Sequence, residues 1–86
     1  VSQPVVVEVL TKQGCHLCVD ALAAARQVCA EFGIEPLERD ITTDEELLSI
    51  YAEELPVLLI DGRVKDFWRI DPQRLRRLLS ETDAGR

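Results

Sequence analysis

Cys15-His16-Leu17-Cys18 sets two thiols three positions apart, a spacing that suits dithiol–disulfide exchange. In that chemistry the thiolate, not the thiol, is the nucleophile, so whatever stabilises the anion decides reactivity. The flanking residues supply that stabilisation. Val5-Val6-Val7-Glu8-Val9-Leu10 is a β-branched run that reads as a strand, Thr11-Lys12-Gln13-Gly14 breaks it, and an Ala-rich apolar run from Val19 to Phe32 reads as a helix. The cysteines therefore stand where a strand hands over to a helix N-terminus. Unpaired N–H groups and the positive end of the macrodipole favour a thiolate there. An inert buried pair is the bland alternative, and a helix N-terminus is the wrong place for one.

A metal centre is the other alternative. Cys15, Cys18, Cys29 and His16 supply four ligands by count. Cys29 lies 11 residues beyond Cys18 on the same predicted helix. That is about 16 Å at ~1.5 Å per residue, too far for one tetrahedral zinc within a subunit. A zinc or iron–sulfur site shared between subunits through Cys15 stays open. Cys29 shares the face of Leu22 and Ala25, so it reads as a small core residue rather than a regulatory thiol.

The elements that must position these residues follow from periodicity and punctuation. The first strand is expected over residues 5–10. The first helix runs from Cys15 or His16 to Phe32, with Gly33 at its C′ position. Its apolar spacing runs Leu17, Ala21, Ala24, Val28, Phe32, widened by Leu22 and Ala25. Ile34 to Ile41 is a weaker second strand. Thr43-Asp44-Glu45-Glu46 has the pattern of a capping box and starts a helix from Asp44 to about Glu53. Val57–Ile60 is a third strand, Asp61-Gly62 a type I′ hairpin turn, and Val64–Ile70 a fourth strand. Asp71-Pro72 reads as N-cap and N1 of a last helix carrying Leu75, Leu78 and Leu79, with Thr82–Arg86 frayed. The order is βαβαββα. Its first βαβ unit implies parallel strands and its hairpin an antiparallel pair, giving a mixed four-stranded sheet flanked by helices, an α/β fold.

Composition sets outer limits. At 86 residues, 47% of them apolar and 30% charged, the chain has material for one core, and 1–86 reads as a single domain. A net charge of −6 argues against nucleic acid, whose binding rests on Lys and Arg neutralising phosphates. No apolar run reaches the ~18 residues of a membrane span. No signal peptide is visible, and because the chain opens at Val1 rather than Met, a trimmed N-terminus stays open. Three cysteines are too few and too odd in number for a disulfide-stapled secreted domain, so a reducing, cytoplasmic setting is expected; the chain is also expected to be a monomer.

The element order, with Cys-x-x-Cys after the first strand and Leu55-Pro56-Val57 opening the third, resembles the thioredoxin fold. Within it the chain is similar to glutaredoxins, and more closely to the short bacterial glutaredoxin-like group. The resemblance rests on Lys12-Gln13-Gly14-Cys15-His16-Leu17-Cys18, on Glu54-Leu55-Pro56-Val57-Leu58-Leu59-Ile60-Asp61-Gly62-Arg63 and on Ile70-Asp71-Pro72. It spans roughly residues 5–80. It implies a thiol–disulfide oxidoreductase that reduces protein disulfides, with Cys15 as exposed nucleophile and Cys18 as resolving thiol. It further implies a cis Pro56 facing the disulfide, a Leu55 backbone that pairs with substrate main chain, and a Lys12 beside the thiolate. Charged Lys12 and His16 would both favour the thiolate. No bound cofactor is implied; electrons would come from glutathione or a thioredoxin-reductase-type donor.

The chain departs from that pattern at two places. Between the cysteines stand His16 and Leu17 in place of the more usual Pro-Tyr or Gly-Pro. Glutathione-using members carry Gly-Gly and then Asp before the last helix, whereas this chain has Phe67-Trp68-Arg69-Ile70-Asp71. Asp71 keeps the acid, while Trp68 and Arg69 fill the place of the glycines, which predicts weak glutathione engagement. Trp68 reads as packing or as a substrate-lining residue. Glu8 reads as paired with an Arg or reaching the rim, the sharper alternative being a proton acceptor for Cys18. Arg74, Arg76 and Arg77 read as a solvated basic face. The rival function is a non-enzymatic module of the same fold that binds a metal, an iron–sulfur centre or a protein partner.

Overall fold

A computed structural model describes residues 5–84. Their order is β1 (Val7–Thr11), α1 (His16–Glu31), β2 (Leu37–Asp40), α2 (Glu45–Tyr51), β3 (Val57–Ile60), β4 (Arg63–Phe67) and α3 (Pro72–Ala84). The strands lie in the spatial order β2-β1-β3-β4. β1 runs parallel to β2 and antiparallel to β3, and β3 and β4 form an antiparallel hairpin. The mixed four-stranded sheet expected from the sequence is therefore present.

The element ends show why the boundaries fall where they do. α1 stops in a Schellman arrangement: the Ile34 N–H donates to the Cys29 carbonyl at 2.9 Å and the Gly33 N–H to the Ala30 carbonyl at 3.3 Å. Gly33 sits there at φ 69°, where a Cβ would be strained. α2 is capped by Asp44, whose Oδ1 accepts from the Leu47 N–H at 3.0 Å, so the cap lies one residue beyond the expected Thr43. Asp61 and Gly62 both have positive φ, 53° and 82°, as a type I′ turn requires. β4 ends at Phe67 rather than Ile70, because Trp68 turns to φ 69° and leaves the ladder. Within the hairpin, Leu58 pairs with Asp66 but Leu59 with Val64, so Lys65 is an extra residue on β4. α3 continues to Ala84, past the Thr82 at which the sequence reading ended it, with the Thr82 hydroxyl donating to the Leu78 carbonyl. Residues 85 and 86 lie outside the described residues.

Alternation along the central strands divides the core between two faces. Val7 and Val9 of β1 with Leu58 and Ile60 of β3 pack against Ala21, Leu22, Ala25, Val28 and Cys29 of α1 and Leu75 and Leu79 of α3. Leu10 and Val57 turn to the other face, where Ile41, Leu55 and Cys18 join Leu47, Leu48 and Tyr51 from the α2 side. The buried stripe of α1 thus runs through Ala21, Leu22, Ala25, Val28 and Cys29, while Leu17 and Ala24 stay half-exposed. β2 is solvent-exposed along its length, which explains its weak sequence signal. No helix among the described residues is long and apolar enough to cross a membrane.

Candidate active site

Cys15 is the N-cap of α1, in extended conformation at φ −90°, and its Sγ accepts the Cys18 N–H at 3.2 Å. A sulfur at that position meets the donors that a helix start leaves unpaired, and this favours the anion once the pair is reduced. The two cysteines are joined by a disulfide, with Cα atoms 5.3 Å apart. Cys15 is half-buried and Cys18 is buried, so an approaching molecule meets Cys15 first. Among the three cysteines only Cys29 is unbonded. It is fully buried on the opposite core face, and burial pushes its thiol up to about 11. It is a core residue, far from the pair. Among the described residues no three His, Cys, Asp or Glu side chains converge to hold a metal.

Opposite the pair lies the β3 entry. The Leu55–Pro56 peptide bond is cis, as the sequence led one to expect. Leu55 shares a core cluster with Cys18 and Cys15, which brings this segment against the disulfide. The Trp68 N–H donates to both the Glu54 carbonyl, at 3.0 Å, and the Pro56 carbonyl, at 2.8 Å. These two bonds bracket Leu55, whose own N–H and C=O take no partner among the described residues. That leaves one main-chain donor and one acceptor beside the cysteines.

The loop that delivers Cys15 is tied from the far side of β1. The Gln13 N–H donates to the Thr42 hydroxyl at 2.9 Å, and the Thr42 hydroxyl donates in turn to Asp40 Oδ1. The same Asp40 oxygen accepts the Thr42 N–H at 2.8 Å. These bonds hold the Asp40 carboxyl below its ordinary range. Sequence reading missed this tether; the available signal was Asp40-Ile41-Thr42 as a local side-chain-to-backbone turn. Lys12 and His16 are exposed next to the pair. The Lys12 carbonyl accepts the Cys15 N–H at 3.4 Å.

The remaining candidates separate. Asp71 is the N-cap of α3, its Oδ1 accepting the Gln73 N–H at 2.9 Å, so one of its two carboxylate oxygens serves the helix start. Trp68 lies just past β4 rather than on it and is 60% exposed. Glu8 faces Arg39 at 3.7 Å, which is the bland reading of that carboxylate. Arg76 is not simply solvated. Its guanidinium makes a two-point contact with Glu31 of α1, at 2.9 and 2.7 Å. That contact draws the Glu31 carboxyl below its ordinary value.

Residues 6–80 match the family model of the glutaredoxin-like domain (DUF836). An uncharacterized protein of Mycobacterium tuberculosis is 31% identical over 84 residues, spanning 92% of this chain and 87% of that one. A structural-genomics target protein from X. campestris superposes with a TM-score of 0.74 at 32% identity, covering 87% of this chain and 96% of that one. Fasciola hepatica thioredoxin superposes with a TM-score of 0.64 at 20% identity, covering 90% of this chain and 79% of that one. At that identity the likeness speaks for the fold alone, and the fold is the thioredoxin fold.

Proposed function

The chain belongs to the glutaredoxin-like domain family, and from that premise we propose that it is a dithiol–disulfide oxidoreductase reducing protein disulfides through Cys15 and Cys18. The observation that carries the reading is the placement of Cys15 as a half-exposed N-cap with Cys18 buried one turn on. The Cys15 thiolate attacks one sulfur of the substrate disulfide, forming a mixed disulfide and expelling the other substrate sulfur as a thiolate that takes up a proton. The Cys18 thiolate then attacks the Cys15 sulfur, closing the Cys15–Cys18 disulfide and releasing the second substrate thiol. Two electrons pass to substrate, and a thiol donor returns the pair to the dithiol form. Glutathione and a thioredoxin-reductase-type flavoprotein are the donor classes.

The unpaired N–H and C=O of Leu55 supply what an extended substrate segment needs to align its sulfur with Cys15. Lys12 and His16, when charged, favour the attacking thiolate. Glutathione engagement is weak in this reading, since Trp68 and Arg69 stand where glutathione-using relatives have glycines. A reducing, cytoplasmic setting and a monomeric protein suit a pair that must be re-reduced at every turnover.

The test is reduction of a protein disulfide, read as insulin precipitation, with two variants. Cys15→Ser should abolish turnover. Cys18→Ser should accumulate mixed disulfides that migrate as a higher-mass band until a thiol is added. Turnover that survives Cys15→Ser would overturn the assignment. Purified protein that retains zinc or an iron–sulfur centre and reduces nothing would instead establish the non-enzymatic module.

A further inference from the structure

The turn that carries Cys15 into α1 has little of its own to hold it. Lys12, Gln13 and Gly14 are exposed. The turn is closed by the Cys15 N–H on the Lys12 carbonyl at 3.4 Å, longer than an ordinary amide hydrogen bond. Gly14 holds φ 77°, and beyond its chain neighbours no atom comes within 4 Å of the place a Cβ would take, so packing does not clamp it either. Among the described residues, one hydrogen bond joins Lys12, Gln13 or Gly14 to a distant part of the chain. It runs from the Gln13 N–H to the Thr42 hydroxyl at 2.9 Å. The far end of that bond is firm. Ile41, next to Thr42, is fully buried; its N–H donates to the Thr11 carbonyl at 2.8 Å, and its carbonyl accepts the Asp44 N–H at 3.0 Å.

Asp40 sets the direction of the Thr42 hydroxyl. A hydroxyl has one proton to donate and two lone pairs. Here the proton goes to Asp40 Oδ1, which leaves the oxygen turned to accept from Gln13. A charged acceptor at the head of such a chain strengthens the next bond along it. While the Cys15–Cys18 disulfide is closed, it fixes Cys15 by itself. Reduction removes that restraint, and the attacking sulfur then keeps its place at the helix start through the turn. Resting on the oxidoreductase reading above, we propose that Thr42, oriented by Asp40, is a positioning residue of the reduced site: it holds the Gln13 amide so that the Cys15 thiolate stays at the N-terminus of α1, aligned for attack. Thr42 acts through the turn alone. Its loss therefore slows attack and weakens the hold on the anion, and leaves substrate affinity nearly unchanged.

The experiment reads Cys15 in two ways in the reduced chain. Iodoacetamide alkylation across a pH series, mapped by mass, gives the pH profile of Cys15. Single-turnover reduction of insulin, read from the mass of the quenched protein, gives a limiting rate and a half-saturating concentration. Thr42→Val keeps the shape and loses the hydroxyl. It should move the midpoint of the alkylation profile up by about half a pH unit, within what a helix start contributes to an anion. It should lower the limiting rate about tenfold, since misplacement by ~1 Å can cost ~100-fold, with half-saturation changed less than about twofold. Thr42→Ala should behave alike, and Thr42→Ser, which keeps the hydroxyl, should restore both readouts. Asp40→Ala deletes a negative charge, which alone would move a thiol midpoint down; through the tether it should move it up. Thr82→Val removes a comparable side-chain hydrogen bond, to the Leu78 carbonyl of α3, and should change neither readout. Lys12 and His16, the ionisable groups beside Cys15, are the same in every variant. A Thr42→Val protein that matches the unmodified one in either readout, no rescue by Thr42→Ser, a downward midpoint in Asp40→Ala, or equal changes in Thr82→Val would overturn the proposal. If the unmodified protein leaves insulin unreduced, the oxidoreductase reading fails, and the alkylation profiles alone decide the positioning role.

Discussion

The three cysteines should separate sharply when the reduced protein is alkylated. Take the dithiol form, freed of reductant, and pulse it with iodoacetamide at pH 8. Cys29 is fully buried and its thiol is pushed from an ordinary value near 9 to about 11. At pH 8 about one Cys29 in a thousand is then a thiolate, against about one in ten for an ordinary thiol, so titration alone slows it roughly a hundredfold. Its lack of access slows it further. Cys15 faces the other way on both counts, being half-exposed and receiving the Cys18 amide at its sulfur. Cys18, 3% exposed, should follow Cys15 and precede Cys29. Quenched aliquots, digested and mapped by mass spectrometry, give the three rates. Labelling of Cys29 or Cys18 ahead of Cys15 would refute the reasoning. The same burial has a thermodynamic side. A thiol raised from near 9 to about 11 contributes stability that is whole below pH 9 and lost as pH rises toward 11, about 3 kcal/mol in all. Cys29→Ala should flatten that alkaline loss in a pH series of denaturant melts.

Three further outcomes are expected. Leu75→Ala, at a fully buried position where α3 meets the sheet, should cost about 2–5 kcal/mol in urea unfolding, because the site cannot fully collapse. Arg76→Ala should flatten acid sensitivity: the Arg76 hydrogen bond lowers the Glu31 carboxyl, so the pair's stability is present above the ordinary glutamate value and lost as pH falls through the lowered one. Thermal melts between pH 6 and pH 3 check this, and an undiminished slope in the variant would count against it. Thr42→Val removes the acceptor of the Gln13 N–H and should speed hydrogen exchange at Gln13 while leaving the β1 and β3 core amides unchanged.

The sequence carried most of the scaffold because its signals were local and unambiguous. A Gly at a helix end, Asp-Gly in a hairpin and Asp-Pro at a helix start each constrain backbone dihedrals directly and fell where the structure has them, while the β-branched run located the first strand but set it at 5–10 where β1 is Val7–Thr11. The same holds for Cys15 and Cys18, which adjacent elements alone place at a helix start. What the sequence concealed depends on pairings distant in the chain. Trp68 reads as strand continuation by propensity, yet two carbonyls bracketing Leu55 capture its N–H and turn it out of the ladder. Thr42 and Gln13 meet only because β2 lies beside β1. Arg76 finds Glu31 only because α3 packs on α1. Asp44 displaced Thr43 as the cap of α2, a competition between adjacent capping residues that pattern alone does not decide.

The Cys15–Cys18 disulfide spans a sequence separation of three, and that brevity bears on how the fold would respond to the proposed opening and closing of the bridge. A cross-link restricts the unfolded chain according to the loop it closes, and a loop this short removes only ~2 kcal/mol of chain entropy, less than half the effect of a long one. Opening the bridge therefore costs the fold far less than opening a long-loop cross-link would, and both faces of the sheet keep their own apolar packing. Under the proposed oxidoreductase reading, most of the free energy of each cycle would then stay with the sulfur chemistry, while the two apolar clusters hold the fold in either state.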